Sequence, residues 1–386
     1  MNKTARALGV AAAALSLVIL VGCSGSDPAP SGSAASTAEL SPQAQAAAEV
    51  VAAHTGAVDE FTAPGPAVDG AALAGKTVYF IPATLQAPLL NSIGDSVTTA
   101  LGNVDVTVQV CDAKLNPADI ASCIGQAVDA DAAAVITAGL VPEFASAAFE
   151  QLATEGIPWV QGITTSAGEG APTEIAYVTA DNVLLQSWAT NWVIADSDAK
   201  AKALVVKLTD SPATTTWADR GILAVYEEDC TECVVEVIET NSGQFDKLPS
   251  LISSALVSNP EITYIQAQFE QLLPAVSQGI QAAARDDITV VSVDGSLAAL
   301  QDIQSGGGVG ASIGYNTDAL AWYMADAAIR LATGEEAIQN LDLPFRRIFD
   351  AGNVGTLSLT PEAQARGEWF GSADYQGGLL ELWGVN

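Results

Sequence analysis

Apolar runs of strand length alternate with helix-length amphipathic stretches over most of the chain. Buried-strand runs are expected at Thr77–Pro82, Val104–Val110, Ala133–Thr137 and Trp159–Gly162, with helices such as Asn91–Leu101 and Pro117–Val128 between them. A second series predicts strands at Ala203–Leu208, Cys233–Ile238, Ile262–Gln266, Thr289–Val293 and Val309–Ile313. Strands alternating with crossover helices build parallel sheets, because a parallel neighbour is reached only by a long connection. The expected fold class is therefore α/β, with two Rossmann-like lobes. Asn116-Pro117-Ala118-Asp119 supplies a cap, a proline at the first helical position and an early acid, so a helix starts there.

Ahead of the alternating body the pattern differs. Lys3 and Arg6 precede an apolar stretch, Ala7 to Val21, too short to span a bilayer comfortably, which is the form of an export signal. It ends in Leu20-Val21-Gly22-Cys23, which resembles the bacterial lipobox and implies a leader over 1–22 and acylation of Cys23. Ser24 to Thr37 is rich in Ser, Gly, Ala and Pro and cannot bury enough surface to fold. Pro42 to His54 reads as a short Ala-rich helix, and residues 23–70 as a whole are expected to be a lipid-anchored tether.

Charge and cysteines narrow the function. Fourteen basic against 45 acidic residues give a formal net charge of −31, more negative once Lys3 and Arg6 leave with the signal. Such a surface repels phosphate backbones, so no nucleic-acid partner is expected. After Cys23 there remain Cys111, Cys123, Cys230 and Cys233, an even number for an oxidising compartment. Sequence proximity suggests the pairs Cys111–Cys123 and Cys230–Cys233, although three pairings are open. A zinc site is disfavoured, because one pair alone has suitable spacing and no His accompanies it. Cys230-Thr231-Glu232-Cys233 follows a helical stretch instead of opening one, which argues against a redox role.

The series resembles the type I periplasmic binding proteins, particularly their sugar-binding branch, from about Leu73 to the C-terminus. The segments that carry the resemblance are Gly75 to Pro82, Asp112 with Asn116-Pro117-Ala118-Asp119, Gly156-Ile157-Pro158-Trp159-Val160, Thr179-Ala180-Asp181-Asn182, Gln244-Phe245-Asp246-Lys247 and Val291-Ser292-Val293-Asp294-Gly295. The resemblance implies two lobes joined by three hinge crossings, near Asp181, near Asn316 and in Ile338–Pro344, with a ligand clamped between them. It divides the body into 71–180 plus 317–337 and 181–316 plus 338–386. It also implies an ABC permease as partner, a small-molecule ligand, no cofactor, a monomer, and a lipid-anchored place on the extracytoplasmic face of the cell membrane.

Loops at C-terminal strand ends form the crevice of an open parallel sheet. Here they are Thr84–Leu90, Thr137–Val141, Gly162–Thr165, Thr209–Trp217, Gln268–Gln271, Asp294–Leu297 and Gly314–Asn316. Matched to the resemblance, Asp294 stands where an acid accepts sugar hydroxyls, Asn316 where a hinge-side amide meets ligand, and Phe245 at a ring-stacking position. The first loop departs, since the family's aromatic pair falls on Leu89 and Leu90 and its amide on Ala87. Its Asp-Arg pair becomes Ile163 and Thr164, Phe269 replaces an Asn, and an Arg is replaced near Thr216. Thr137, Trp217 and Tyr315 complete the candidate contacts. Trp188 and Trp192 share helical spacing with Leu184 and Ala195 and read as core. Asp294 could alternatively cap a helix starting at Ser296.

Together these readings give a small neutral ligand, sugar or polyol first and an aromatic or partly apolar solute second, for import or for presentation to a membrane sensor. Anionic ligands are disfavoured, because no Arg or Lys falls in those loops; Arg220 is one helical turn from one of them. Catalysis is not expected. His54 lies outside the body, no phosphate-binding glycine loop is present, and no local motif nominates a carboxylate pair. A lactose-repressor-type regulator would need a basic helix-turn-helix segment, which the chain lacks.

Overall fold

The computed structural model describes residues 40–164, 175–336 and 343–385. The leader, Cys23, the tether before Leu40, Thr165 and most of the Ile338–Pro344 crossing lie outside these residues. The chain enters with α1 (Pro42–His54), whose first turn is closed by the Ser41 hydroxyl accepting from the Ala44 N–H. There follow β1 (Thr77–Pro82), α2 (Pro88–Gly102), β2 (Thr107–Val110), α3 (Pro117–Asp129), β3 (Ala134–Ala138), α4 (Ser146–Glu155), β4 (Trp159–Gly162) and β5 (Ile175–Val178). These five strands form one parallel sheet in the order β2-β1-β3-β4-β5. Its central strands are nearly continuous apolar runs, as a sheet covered on both faces requires.

The second lobe opens with α5 (Asn182–Asp196), β6 (Lys202–Leu208), α6 (Pro212–Ala218), α7 (Ala224–Asp229), β7 (Val234–Thr240), α8 (Leu248–Ser258) and β8 (Tyr264–Ala267). It continues through α9 (Leu273–Ala282), β9 (Thr289–Asp294), α10 (Leu297–Ser305) and β10 (Val309–Tyr315). Next come α11 (Thr317–Ala332), β11 (Arg346–Asp350), α12 (Pro361–Ala365) and α13 (Tyr375–Leu382). The six-stranded order is β11-β10-β9-β8-β6-β7. The two α/β lobes expected from the alternation are present, with one change. β11 is antiparallel, pairing Arg346 with Tyr315 and Arg347 with Gly314, because the chain re-enters this lobe from the crossing side.

Asp181 caps α5 by accepting from the Leu184 N–H, and Asn316 caps α11 by accepting from the Ala319 N–H. Each crossing residue thus closes the helix that carries the chain into the other lobe. α11 packs against α2, β3, β4 and β5, and α5 against β9 and β10.

Two expectations are corrected. The chain from Leu40 to Gly70 is not a free tether. α1 lies along α5 through the buried methyls of Ala44 and Ala47, small enough for close helix approach. Beyond it, the Val58 N–H donates to the Phe370 carbonyl, Val68 to Leu382 and Gly70 to Trp383. Residues 338–386 do not all belong to the second lobe either. α13 returns to α11, where the Trp383 ring stacks on Trp322 (5.7 Å, 8°) and its Nε1 donates to Asp326 at 2.9 Å. Arg330 completes this junction. Its guanidinium donates to both Asp326 oxygens (2.6 and 3.2 Å) and to the Pro66 carbonyl (2.7 Å).

Both local cysteine pairs are bonded, Cys111 to Cys123 across 5.7 Å between Cα atoms and Cys230 to Cys233 across 5.3 Å. Among the described residues no helix is long and apolar enough to cross a membrane. None of their His, Cys, Asp or Glu side chains gather as a metal-binding group.

Candidate functional site

The crossings leave from the C-terminal ends of β5 and β10, so both sheets turn their C-terminal strand ends toward the junction of the lobes. In the second lobe, β9 runs out at Asp294, which solvent reaches and whose backbone holds φ at 142°, a region non-glycine residues rarely adopt. Gly295 follows at φ 67°; a Cβ there would stand 2.7 Å from the Gly314 Cα, so only glycine lets the turn sit against β10. One Asp294 oxygen accepts from the Glu270 N–H at 3.2 Å. Although solvent reaches the residue, neighbouring protein strips part of the hydration from its carboxylate. That burial first, and repulsion from Glu270 second, raise its pKa well above the usual value, against a lowering by the same N–H. The helix start behind it is capped by Ser296, not by Asp294, which leaves the Asp294 carboxylate available.

Phe269, next in sequence to the Glu270 whose N–H binds Asp294, forms an aromatic pair with Trp217. Trp217, on α6, and Phe269, two residues past β8, meet edge to face with centroids 6.1 Å apart, both rings half-buried. Their support is rigid. The fully buried Gln268 donates to the Thr214 carbonyl and accepts from the Leu208 N–H, both at 2.7 Å, and its own carbonyl accepts from Gln186 Nε2 at 2.6 Å. One side chain thereby joins the ends of β6 and β8 to α6, while its carbonyl ties them to α5.

Tyr315 is buried beside this rim, and burial, then the Asp294 charge, push its hydroxyl above the ordinary tyrosine range. Arg346, its partner in the β-ladder, donates to the Ala180 carbonyl in the first crossing and sets its guanidinium 5.5 Å from the Trp188 ring. The structure thus gathers Asp294, Phe269, Trp217 and Tyr315.

Other candidates are placed elsewhere. Thr137 is fully buried: its hydroxyl accepts from Trp159 Nε1 at 2.8 Å and donates to the Val160 carbonyl, so it braces the first sheet. Thr164 is likewise enclosed and accepts from Gln161 Nε2 at 2.7 Å. Thr216 bonds back to the Pro212 carbonyl, because α6 begins at Pro212 and places Thr216 a turn inside the helix. Asn316 is spent on the α11 cap and lines a cavity of about 400 Å³ with Gly367 and Tyr375. Phe245 packs on the second-lobe core in the turn after β7, the strand that lies three places from β9 in the sheet. Leu89 is exposed at the start of α2. Ile163, a β-branched residue at φ 52°, marks a strained turn after β4. Trp188 and Trp192 are packing residues as expected, Trp188 under His54 and Trp192 bonded to Asp350.

Three residues of the site went unremarked in the sequence. Gln268 and Glu270 lie in a loop expected at the crevice, but strand-end position alone does not say which side chain turns inward. Arg346 lies in a strand that had no apolar run to mark it.

The periplasmic binding protein domain family matches residues 78–336, which span all of the first sheet and five strands of the second. The chain belongs to this family. Solved periplasmic binding proteins share its fold. An ABC sugar transporter subunit from Rhodobacter sphaeroides 2.4.1 is 17% identical over 73% of this chain and 100% of its own, with TM-score 0.63. The 5-methylthioribose transporter solute binding protein from Thermotoga lettingae TMO, in complex with 5-methylthioribose, is 15% identical over 79% and 96%, TM-score 0.63. The Caulobacter myo-inositol binding protein, bound to myo-inositol, is 19% identical over 73% and 95%, TM-score 0.62. No curated relative matches the sequence. In this periplasmic binding protein, the strap of residues 40–77 and the returning segment 343–385 lie outside the matched domain.

Proposed function

We propose that the protein is the lipid-anchored, extracytoplasmic substrate-binding subunit of an ABC importer, and that it captures a small neutral sugar or polyol between its lobes. The observation that carries this is the rim where Asp294 accepts from the Glu270 N–H and the adjoining Phe269 pairs with Trp217. A carboxylate accepts two vicinal hydroxyls at once, and aromatic rings cover the C–H face of a sugar. The sugar and inositol proteins that share the fold support the same ligand class. Closure follows from differential contacts, since a ligand touching both lobes favours the state in which both reach it. An aromatic or partly apolar solute is the second reading, motivated by exposed Leu89 and by Ile163 and Thr164 where charged groups would grip a pyranose.

A thermal-shift screen of pentoses, hexoses, inositols, aromatic acids and phosphorylated sugars tests the ligand class, because a ligand that binds only the native state raises its apparent stability. Stabilisation by neutral polyhydroxyl compounds is expected; a tight hit among the phosphorylated sugars overturns it. Anchoring is read by feeding labelled fatty acid to a bacterial host. The native chain should take up label and Cys23→Ser should not.

A further inference from the structure

We infer that Glu270 is the positioning residue of the ligand rim: it holds the Asp294–Ser296 turn in its strained form and so presents the Asp294 carboxylate to the ligand. The inference rests on the sugar-binding reading of Asp294 and adds a residue to it.

The geometry is closed on itself. Glu270 is 9% exposed and has no cation to neutralise it in its immediate bonds. Its Oε1 accepts from the Ser312 hydroxyl at 2.5 Å, and its two oxygens accept from the Ser296 N–H at 3.2 and 3.1 Å. Ser312, fully buried in β10, in turn accepts from the Gly295 N–H at 3.1 Å. The Glu270 N–H completes the ring by donating to Asp294. Three successive residues, Asp294, Gly295 and Ser296, are thus each tied to Glu270 directly or through Ser312. Strain of the kind seen at Asp294 persists only where surrounding bonds over-determine it.

A purely structural cap does not need this residue type. The α10 N-terminus already has the Ser296 hydroxyl accepting from the Ala299 N–H. Burying a carboxylate without a counter-ion costs free energy that an apolar side chain avoids. Burial first raises the Glu270 pKa, against the lowering by Ser296, Ser312 and Gly295. The charged groups around it are few. Asp294 ends β9, and Tyr315 is the nearest ionisable group of β10. Along the groove of about 740 Å³ beside α9 and α10 come Arg285, Asp286, Asp287 and Asp302. Arg285 is held by Asp287 at 2.6 Å, and Asp302 accepts from the Val309 N–H at 2.8 Å.

The test uses the full chain and needs no ligand for its first two readouts. Glu270→Gln keeps the volume and one acceptor, so it is expected to fold; Glu270→Ala removes both acceptors. In Glu270→Ala the Ser296 amide should exchange with solvent about tenfold faster, as one buried hydrogen bond is lost. In Glu270→Gln the carboxyl-carbon resonance of Asp294, assigned by its absence in Asp294→Asn, should titrate about one pH unit lower, since the neighbouring negative charge is gone. Unchanged exchange and an unchanged midpoint overturn the inference. A merely packing role would move neither the midpoint nor the pH profile of binding. With myo-inositol and D-ribose as probes, Glu270→Gln should weaken whichever binds wild type and shift its acid limb to lower pH; equal affinity at every pH also overturns the inference. If neither probe nor any other polyol binds wild type, the sugar reading fails while the exchange and titration results still decide the role of Glu270.

Discussion

The His54 imidazole lies flat on the Trp188 indole, ring centroids 3.8 Å apart and planes within 28°. The contact fastens α1 to α5 of the second lobe, and Arg347 of β11 adds a bond to the Thr55 carbonyl at 2.8 Å. From there the strap passes to the first lobe, where Tyr323 donates to the Thr62 carbonyl and Arg330 to that of Pro66. The strap therefore touches both lobes, and its docking bears on their stability.

Ala47, 2% exposed on the α5-facing side of α1, tests that docking. Ala47→Glu should cost about 2–3 kcal/mol, since a buried unpaired charge must be hydrated or expel the helix. The neighbouring exposed Ala46→Glu should lie within about 0.5 kcal/mol of wild type. Urea unfolding of the two variants makes the comparison, and equal midpoints would show α1 to be detached in solution.

The Asp326–Arg330 pair predicts a larger loss. Both side chains are 2% exposed, and Trp383 and Pro66 share their bonds. Asp326→Ala leaves a guanidinium buried without its carboxylate and should destabilise by about 3–5 kcal/mol. Replacing both members by Asp326→Leu with Arg330→Met should recover much of it, because an apolar pair needs no solvation. A double variant as unstable as the single one would refute the argument.

Stability should also depend on pH through the rim. Asp294 and Glu270 both have folded pKa values raised above the ordinary carboxylate value, by burial first in each. Between that ordinary value, about 4, and the raised folded values, the native state binds more protons than the unfolded chain, so stability falls as pH rises through the window. The melting temperature should therefore drop as pH rises above about 4. Asp294→Asn should flatten that slope, while the background from the other acids remains. An identical slope in the variant would show that the rim does not contribute.

Legibility in the sequence followed the strength of each local signal. β1 and β4 coincide with the apolar runs that predict them, and Asn116 caps α3 as its motif implies. β5 is four residues long and β11 opens on two arginines, so neither offers a run to read. The strap escaped notice because the fully buried contacts of α1 are alanine methyls and the rest of it docks through backbone bonds, neither of which composition distinguishes from linker. At the site, Asp294 was legible because an acid directly after a buried strand has little choice but the strand-end rim. Thr137 and Thr164 were misplaced because sequence does not reveal the partners, Trp159 and Gln161, that turn their hydroxyls inward.

Those two classes of residue should separate in binding. For whichever neutral solute the thermal screen identifies, Asp294→Ala should weaken affinity by about 1–3 kcal/mol, the cost of leaving ligand hydroxyls without their acceptor. Trp217→Ala should lose about 0.5–1.5 kcal/mol more than its lost area accounts for, because Phe269 also loses its edge-to-face partner. Since Phe269 adjoins Glu270, whose N–H bonds Asp294, the two losses should be non-additive. Thr137→Val is the contrast: it removes an acceptor from buried Trp159 Nε1 and should cost stability of about 1–3 kcal/mol while leaving affinity near wild type. Titration calorimetry on the folded variants reads all of these. Wild-type affinity in Asp294→Ala, or a Thr137→Val variant that folds normally and fails to bind, would move the ligand away from the second-lobe rim.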